Sequence, residues 1–127
     1  MSKILVVDDD PIFTQLIKDT LESAGGYQVM TVNRSNQAIA AAREFQPALM
    51  VLDVMMPGML GTEIASQISD APDLRHIKVI FVTGMRKKGE EAQQGEFVGG
   101  QHIIAKPLNP DELLNAIRLQ LSPAENS

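Results

Sequence analysis

The chain has 127 residues, 44% of them hydrophobic, a net charge of −5 and no cysteine. That length and apolarity suit one folded domain and exclude a disordered chain; the lack of cysteine excludes disulfides and thiolate chemistry. Acidity, 4% aromatics and no tryptophan argue against nucleic acid as a direct partner.

Ile4-Leu5-Val6-Val7 is a continuous apolar run, the pattern of a strand buried on both faces of a parallel sheet. It is too short for a signal peptide, and no later stretch approaches a membrane span, so a cytoplasmic location is expected. Asp8, Asp9 and Asp10 follow at once. Asp10-Pro11 reads as the cap and first residue of a helix, more a cap than a metal ligand. That helix is expected to bury Ile12, Phe13, Leu16, Ile17 and Leu21 and to stop at Gly25-Gly26. Tyr27 to Val32 is a second strand. Ser35 is expected to cap a second helix that turns Ala38, Ile39, Ala42 and Phe45 inward and closes at Pro47.

Ala48 to Leu52 is a third strand, and it stops abruptly at the carboxylate of Asp53. The Met-Pro-Gly loop behind it and Gly61 suit a chain turning sharply away from a sheet edge. A third helix is expected over about Thr62 to Ser69, and a fourth strand, Val79 to Val82, ends at Thr83-Gly84. From Met85 to Gly100 the signal is poor; a helix near Glu90 to Glu96 is weakened by Gly95, which costs about 1 kcal/mol against alanine. Ile103 to Ala105 is a fifth strand, followed by Lys106-Pro107. Asn109-Pro110-Asp111-Glu112 opens a last helix with a cap, a proline at its first position and a reciprocal glutamate. Its inward stripe is Leu113, Leu114, Ile117 and Leu121. Residues 1–121 thus form the domain, and 122–127 read as a flexible tail or a cut linker.

Strands alternating with helices imply an α/β fold, a parallel sheet covered on both faces, with its functional groups at the strand C-termini. Four of the eight aspartates fall at two of those ends. Asp8 and Asp9, Asp53, Thr83 and Lys106 therefore converge on one edge although about 100 positions separate them. Carboxylates packed together repel and need an offsetting charge. A divalent cation with oxygen ligands, Mg²⁺ above all, supplies it. Carboxylates, a metal, an ammonium and a hydroxyl make a site for a phosphoryl group, with one carboxylate as nucleophile.

At these residues the sequence resembles the receiver domain of two-component response regulators, over residues 3 to about 121. Ile4-Leu5-Val6-Val7-Asp8-Asp9-Asp10 is similar to the family's acidic pair after its first strand. The stretch from Asp53 to Gly61 is similar to the D-x-x-M-P-x-M-D-G phosphorylation loop; Val82-Thr83 matches the hydroxyl position and Lys106-Pro107 the lysine with its proline. The resemblance implies a flavodoxin-like, doubly wound (βα)5 sheet in the order 2-1-3-4-5. It implies Asp53 as phosphoacceptor from a histidine kinase or phosphotransfer protein. Asp9, Asp53 and the carbonyl of Met55 would bind Mg²⁺, with Asp8 acting mainly through a metal-bound water. Thr83 and Lys106 would contact the phosphoryl group, and the bond before Pro107 would be cis. Output would pass to a downstream protein, a separate effector domain or a second copy, through a face of roughly Gly89 to Leu121. Such a module is a signalling protein that catalyses only its own phosphorylation and dephosphorylation.

The chain departs from that pattern in places. Ile103 stands where the family carries a switching Tyr or Phe, Gly84 where it carries Ala, and Leu60 where Asp is common. Met55 and Met85 lie two residues beyond Asp53 and Thr83, flanking the path of an attacking water in the family; both are apolar, so slow hydrolysis of the acyl phosphate is expected. Three other readings compete. A degenerate receiver would act by protein contact alone. A haloacid-dehalogenase-type phosphatase would use Asp8-Asp9-Asp10 as its D-x-D, but Ile12 is not the Thr or Val expected, and no later acidic pair follows. A flavin or nucleotide binder would place glycines or hydroxyls, not acids, after the first strand.

Overall fold

The computed structural model of the protein describes residues 1–84, 97–98, 101–106 and 108–122. The chain runs β1 (Ser2–Val7), α1 (Pro11–Ala24), β2 (Tyr27–Val32), a 3-10 turn at Ser35–Gln37, α2 (Ala38–Phe45), β3 (Leu49–Asp53), α3 (Gly61–Asp70) and β4 (Lys78–Thr83). Then come β5 (Phe97–Val98), β6 (Gln101–Ala105) and α4 (Pro110–Leu121). The sheet order is β2-β1-β3-β4-β6-β5. Its first five members are all parallel, the expected 2-1-3-4-5 arrangement with β6 as the fifth predicted strand. The two-residue β5 adds an antiparallel edge that the sequence did not announce. The helix expected near 90–96, the Lys106–Pro107 bond geometry and the tail from 123 lie outside the described residues. No described helix is long and apolar enough to cross a membrane.

Alternation along each strand divides the interior in two. Leu5, Val7, Met50, Leu52, Val79, Phe81 and Ile103 face α2 and α3, meeting Ala38, Ala42, Ile64 and Ile68. Ile4, Val6, Leu49, Val51, Ile80, Val82 and Ile104 face α1 and α4, meeting Ile17, Leu21, Leu113 and Ile117. Strands apolar on both faces are what a sheet with helices on both sides requires. Each such side chain, fully buried, contributes about 1.5–3 kcal/mol of transfer free energy, so the middle strands anchor the strand ends firmly.

Helix α1 corrects the predicted stripe. Ile17 and Leu21 are buried as expected, but Ile12 is 81% and Leu16 51% exposed, and Thr14 is buried in their place. At about 100° per residue, Ile12 and Leu16 point roughly opposite to the line Thr14, Ile17, Leu21. The hydroxyl of Thr14 is satisfied inside, donating to the Pro11 carbonyl (3.1 Å) and accepting from Asn33 Nδ2 (3.1 Å), so its burial costs little. Asp10 does cap the helix, accepting from the Ile12 N–H at 3.0 Å.

Two other helix starts differ from expectation. Ser35 is not the cap of α2; it sits in the 3-10 turn, and its Oγ donates to the Pro57 carbonyl at 3.0 Å. At α3 the N-cap is Leu60, which has no acceptor. Only half of a reciprocal cap remains, Glu63 Oε1 accepting from the Leu60 N–H at 2.8 Å. An aspartate here would supply the missing half. Helix α4 starts as predicted, Asn109 Oδ1 accepting from the N–H groups of Asp111 (2.9 Å) and Glu112 (3.3 Å).

Candidate functional site

Sheet register brings the candidate residues together. Val7 pairs with Leu52, and Asp53 with Val82, so Asp8, Asp53 and the end of β4 lie in one row across three strands. One step further on, Thr83 pairs with Ala105, which places Lys106 at the same edge. Carboxylate oxygens of Asp8, Asp9 and Asp53 all lie within 4.8 Å of one another. Asp8 and Asp53 are buried and Asp9 is exposed.

Asp8 is thoroughly engaged. Its Oδ2 accepts from Lys106 Nζ at 2.8 Å and its Oδ1 from the Asp10 N–H at 3.0 Å. Its backbone is clamped as well, the N–H donating to the Val32 carbonyl (3.1 Å) and the carbonyl accepting from Asn33 Nδ2 (2.8 Å). Asp53 is less well provided. Among the described residues its Oδ1 receives only a long 3.4 Å contact from the Met55 N–H, and Lys106 Nζ stands 3.9 Å from its Oδ2. Burial, and then the charge of Asp8, push the Asp53 carboxyl up to about 6; Lys106 and the Met55 N–H oppose this, and Asp9 adds to it. Three carboxylates thus share a single neighbouring ammonium among the described residues.

The loop after Asp53 is held by backbone fit. The Val54 N–H donates to the Val82 carbonyl (3.0 Å) and the Gly61 N–H to the Val54 carbonyl (2.9 Å). A Cβ on Gly61 would come within 2.2 Å of the Asp53 carbonyl oxygen, so only glycine fits there. Gly58 takes φ +89°, a left-handed conformation that L side chains rarely adopt. Met55 is exposed at the mouth, and a cleft of about 360 Å³ opens beside Asp9, Arg34, Asn36 and Met59.

On the other flank, the Thr83 carbonyl accepts from the Lys106 N–H at 2.8 Å, tying hydroxyl and ammonium positions through the backbone. Ile103 is buried against the α2/α3 side of the sheet, three residues short of Lys106 and away from the mouth. A Cβ on Gly84 would meet Lys106 Cδ at 3.4 Å, an ordinary contact, so alanine would fit here. Sequence reasoning missed Asn33 and Phe13. Asn33 follows Val32, the register partner of Val7, and a polar residue at the end of a strand neighbouring Asp8 was a usable signal. The apolar pattern of α1 marks Phe13 only as core, yet the Lys106 ammonium lies 4.2 Å from its ring centroid.

The donor set suits a hard divalent cation. It is all oxygen, it carries excess negative charge around a buried carboxylate, and Asp9 leaves a side open to water.

Comparison with known proteins agrees with this geometry. Residues 4–118 match the family described as response regulator receiver domain. The polar-differentiation response regulator DivK of Brucella anthropi is 32% identical over 123 residues, covering 95% of this chain and 97% of the relative. Among solved structures, the chemotaxis protein CheY4 of Vibrio cholerae superposes with a TM-score of 0.80 at 30% identity, over 95% of this chain and 99% of that one. A CheY-like receiver domain from Methanospirillum hungatei gives 0.81 at 27% identity, over 98% and 97%.

Proposed function

The chain belongs to the response regulator receiver domain family, and on that premise we propose that it is a phospho-accepting module with Asp53 as the acceptor. One observation supports this most directly: Asp53 is a buried carboxylate at a strand end, beside two further carboxylates and only partly compensated by Lys106.

In this reading an Asp53 oxygen attacks the phosphorus of a phosphohistidine on a kinase or phosphotransfer protein. The new O–P bond forms as the N–P bond breaks, and the imidazole leaves with its electron pair. Asp9, Asp53 and the Met55 carbonyl would hold Mg²⁺, with Asp8 acting through a metal-bound water. When bound, the cation offsets the carboxylates and draws charge from the phosphoryl oxygens. Asp8, already hydrogen-bonded on both oxygens, keeps its place. Lys106 swings from Asp8 toward a phosphoryl oxygen, and Thr83 donates its hydroxyl to another.

Because the Lys106 N–H is bonded to the Thr83 carbonyl, movement at one residue is felt at the other. We place the route to output there, in a shift between two conformations. Ile103, an aliphatic side chain buried in the core, gives no ring to swing. The exposed Met55 leaves the approach to the acyl phosphate apolar, which favours slow hydrolysis. The receiving surface would be the 89–121 face, to which α4 belongs.

The test is incubation with Mg²⁺ and acetyl phosphate, read by intact mass. One phosphoryl group should add to the parent and none to Asp53→Asn, and Met55→Asn should shorten the acyl phosphate half-life. Failure of the parent to take up phosphate, or equal uptake by Asp53→Asn, would overturn the assignment.

A further inference from the structure

Lys106 is tethered by a flexible four-carbon stem, and the sequence gives no reason for its ammonium to rest in one place. Among the described residues its two nearest contacts are the 2.8 Å bond to Asp8 Oδ2 and the face of Phe13, 4.2 Å from the ring centroid, with Asp53 Oδ2 further off at 3.9 Å. Both of the nearest partners come from the β1–α1 segment. Phe13 is the third residue of α1, and its helix start is set by the Asp10 cap. The ring is half-buried and packed on the side of the sheet shared by Ile17 and Ile104.

The two contacts differ in kind. A carboxylate bond to Asp8 uses an N–H of the ammonium and must be released for that N–H to reach a phosphoryl oxygen. The ring attracts the charge through its quadrupole, and with three N–H groups on the ammonium it leaves donors for oxygen acceptors. The ammonium can therefore exchange one oxygen for another while remaining over the ring.

We propose that Phe13 is a positioning residue for Lys106, holding its ammonium in reach of Asp53 while it changes from Asp8 to the incoming phosphoryl group. The proposal rests on the phosphoacceptor reading given above. It assigns to the first turn of α1 a part in the reaction distinct from core packing.

The experiment replaces Phe13 by 4-fluoro-, 3,5-difluoro- and pentafluorophenylalanine, which keep the ring's shape while weakening its quadrupole. Phe13→Leu and Phe13→Trp accompany them. Beryllofluoride affinity with Mg²⁺, thermal stability and the Lys106 Hε chemical shift are measured on each. Affinity should fall stepwise with fluorination and by roughly 2- to 5-fold in Phe13→Leu, the range of a partly exposed cation–π contact. Phe13→Trp should retain it. Lys106 Hε should be shifted upfield by the ring current in the parent and lose that shift in Phe13→Leu. An affinity that is flat across the fluorinated series, or that follows only the loss of thermal stability, overturns the positioning role and leaves the phosphoacceptor reading standing. A parent that binds no beryllofluoride removes the phosphoacceptor reading, and the proposal falls with it.

Discussion

Asp8, one residue past the end of β1, and Asp53, the last residue of the adjacent β3, lie at the same level of the sheet, both buried, and their circumstances are opposite. Asp8 has an ammonium on one oxygen and a backbone N–H on the other, with its main chain pinned from both sides. Among the described residues Asp53 has one long backbone contact and a share of the same ammonium from 3.9 Å. A buried carboxylate with a donor on each oxygen is fixed in place. One left short of partners holds its proton more tightly and is held ready for an incoming electrophile or cation. The difference between the two carboxylates lies in the supply of donors, since residue type and burial class are the same.

The position of the Asp53 carboxylate depends on the backbone after it taking one path, and Gly61 sets that path. In Gly61→Ala the Cβ would sit within 2.2 Å of the Asp53 carbonyl oxygen and 2.9 Å of its carbon. These are backbone atoms and cannot rotate away. Overpacking of this kind should cost about 3 kcal/mol, seen as a drop of roughly 10 °C in melting temperature. It should also displace the Asp53 carboxylate and, under the proposed function, slow phosphorylation. A fully stable Gly61→Ala protein would mean that Asp53 is not held as described.

How far these features were legible differs by residue. Strand ends were legible because each is an apolar run followed by a chemical group, and in a parallel sheet all such ends share one edge. Asp8, Asp9, Asp53, Thr83 and Lys106 could be gathered on that logic alone. Which carboxylate takes the lysine could not, because the 2.8 and 3.9 Å separations are set by register and by side-chain torsions. The stripe of α1 departs from the sequence pattern because Thr14 is polar, and its burial is tolerable only through its bonds to Pro11 and Asn33. Ser35 looked like a helix cap because serine is a common one; its bond to Pro57 joins two loops 22 residues apart, which local sequence does not encode.

A second test removes the charge from the under-supplied partner. The Asp53 carboxyl is raised from 3.8 to about 6 in the folded metal-free protein. Below about pH 4 it is protonated in both folded and unfolded chains and costs nothing. Between about pH 4 and 6 the unfolded chain ionises first, so stability falls as pH rises; above about 6 the full penalty is present. Each pH unit is worth about 1.4 kcal/mol, and water at the mouth screens part of it. Asp53→Asn should therefore stabilise the metal-free protein by about 1–2 kcal/mol at pH 7.5 and by nothing near pH 4. Urea unfolding at the two pH values measures it. A gain of equal size at both would show that it does not come from the charge.

The smallest effect asked of the pair is the most specific. Asp8 is the second cause of the raised Asp53 carboxyl, after burial. Asp8→Asn removes that negative charge and also frees the ammonium it holds, while an amide oxygen can still accept from the Asp10 N–H. Lys106 can then close its 3.9 Å gap to Asp53. Both changes favour the ionised Asp53, so its carboxyl should titrate below about 6 in Asp8→Asn, without returning to 3.8, because burial is unchanged. Carbonyl carbon-13 titration of the metal-free protein reads this directly. If the midpoint stays near 6, burial alone sets it and the shared lysine is irrelevant. If it falls, the two carboxylates compete for one cation, and Asp53 is left short because Asp8 holds it.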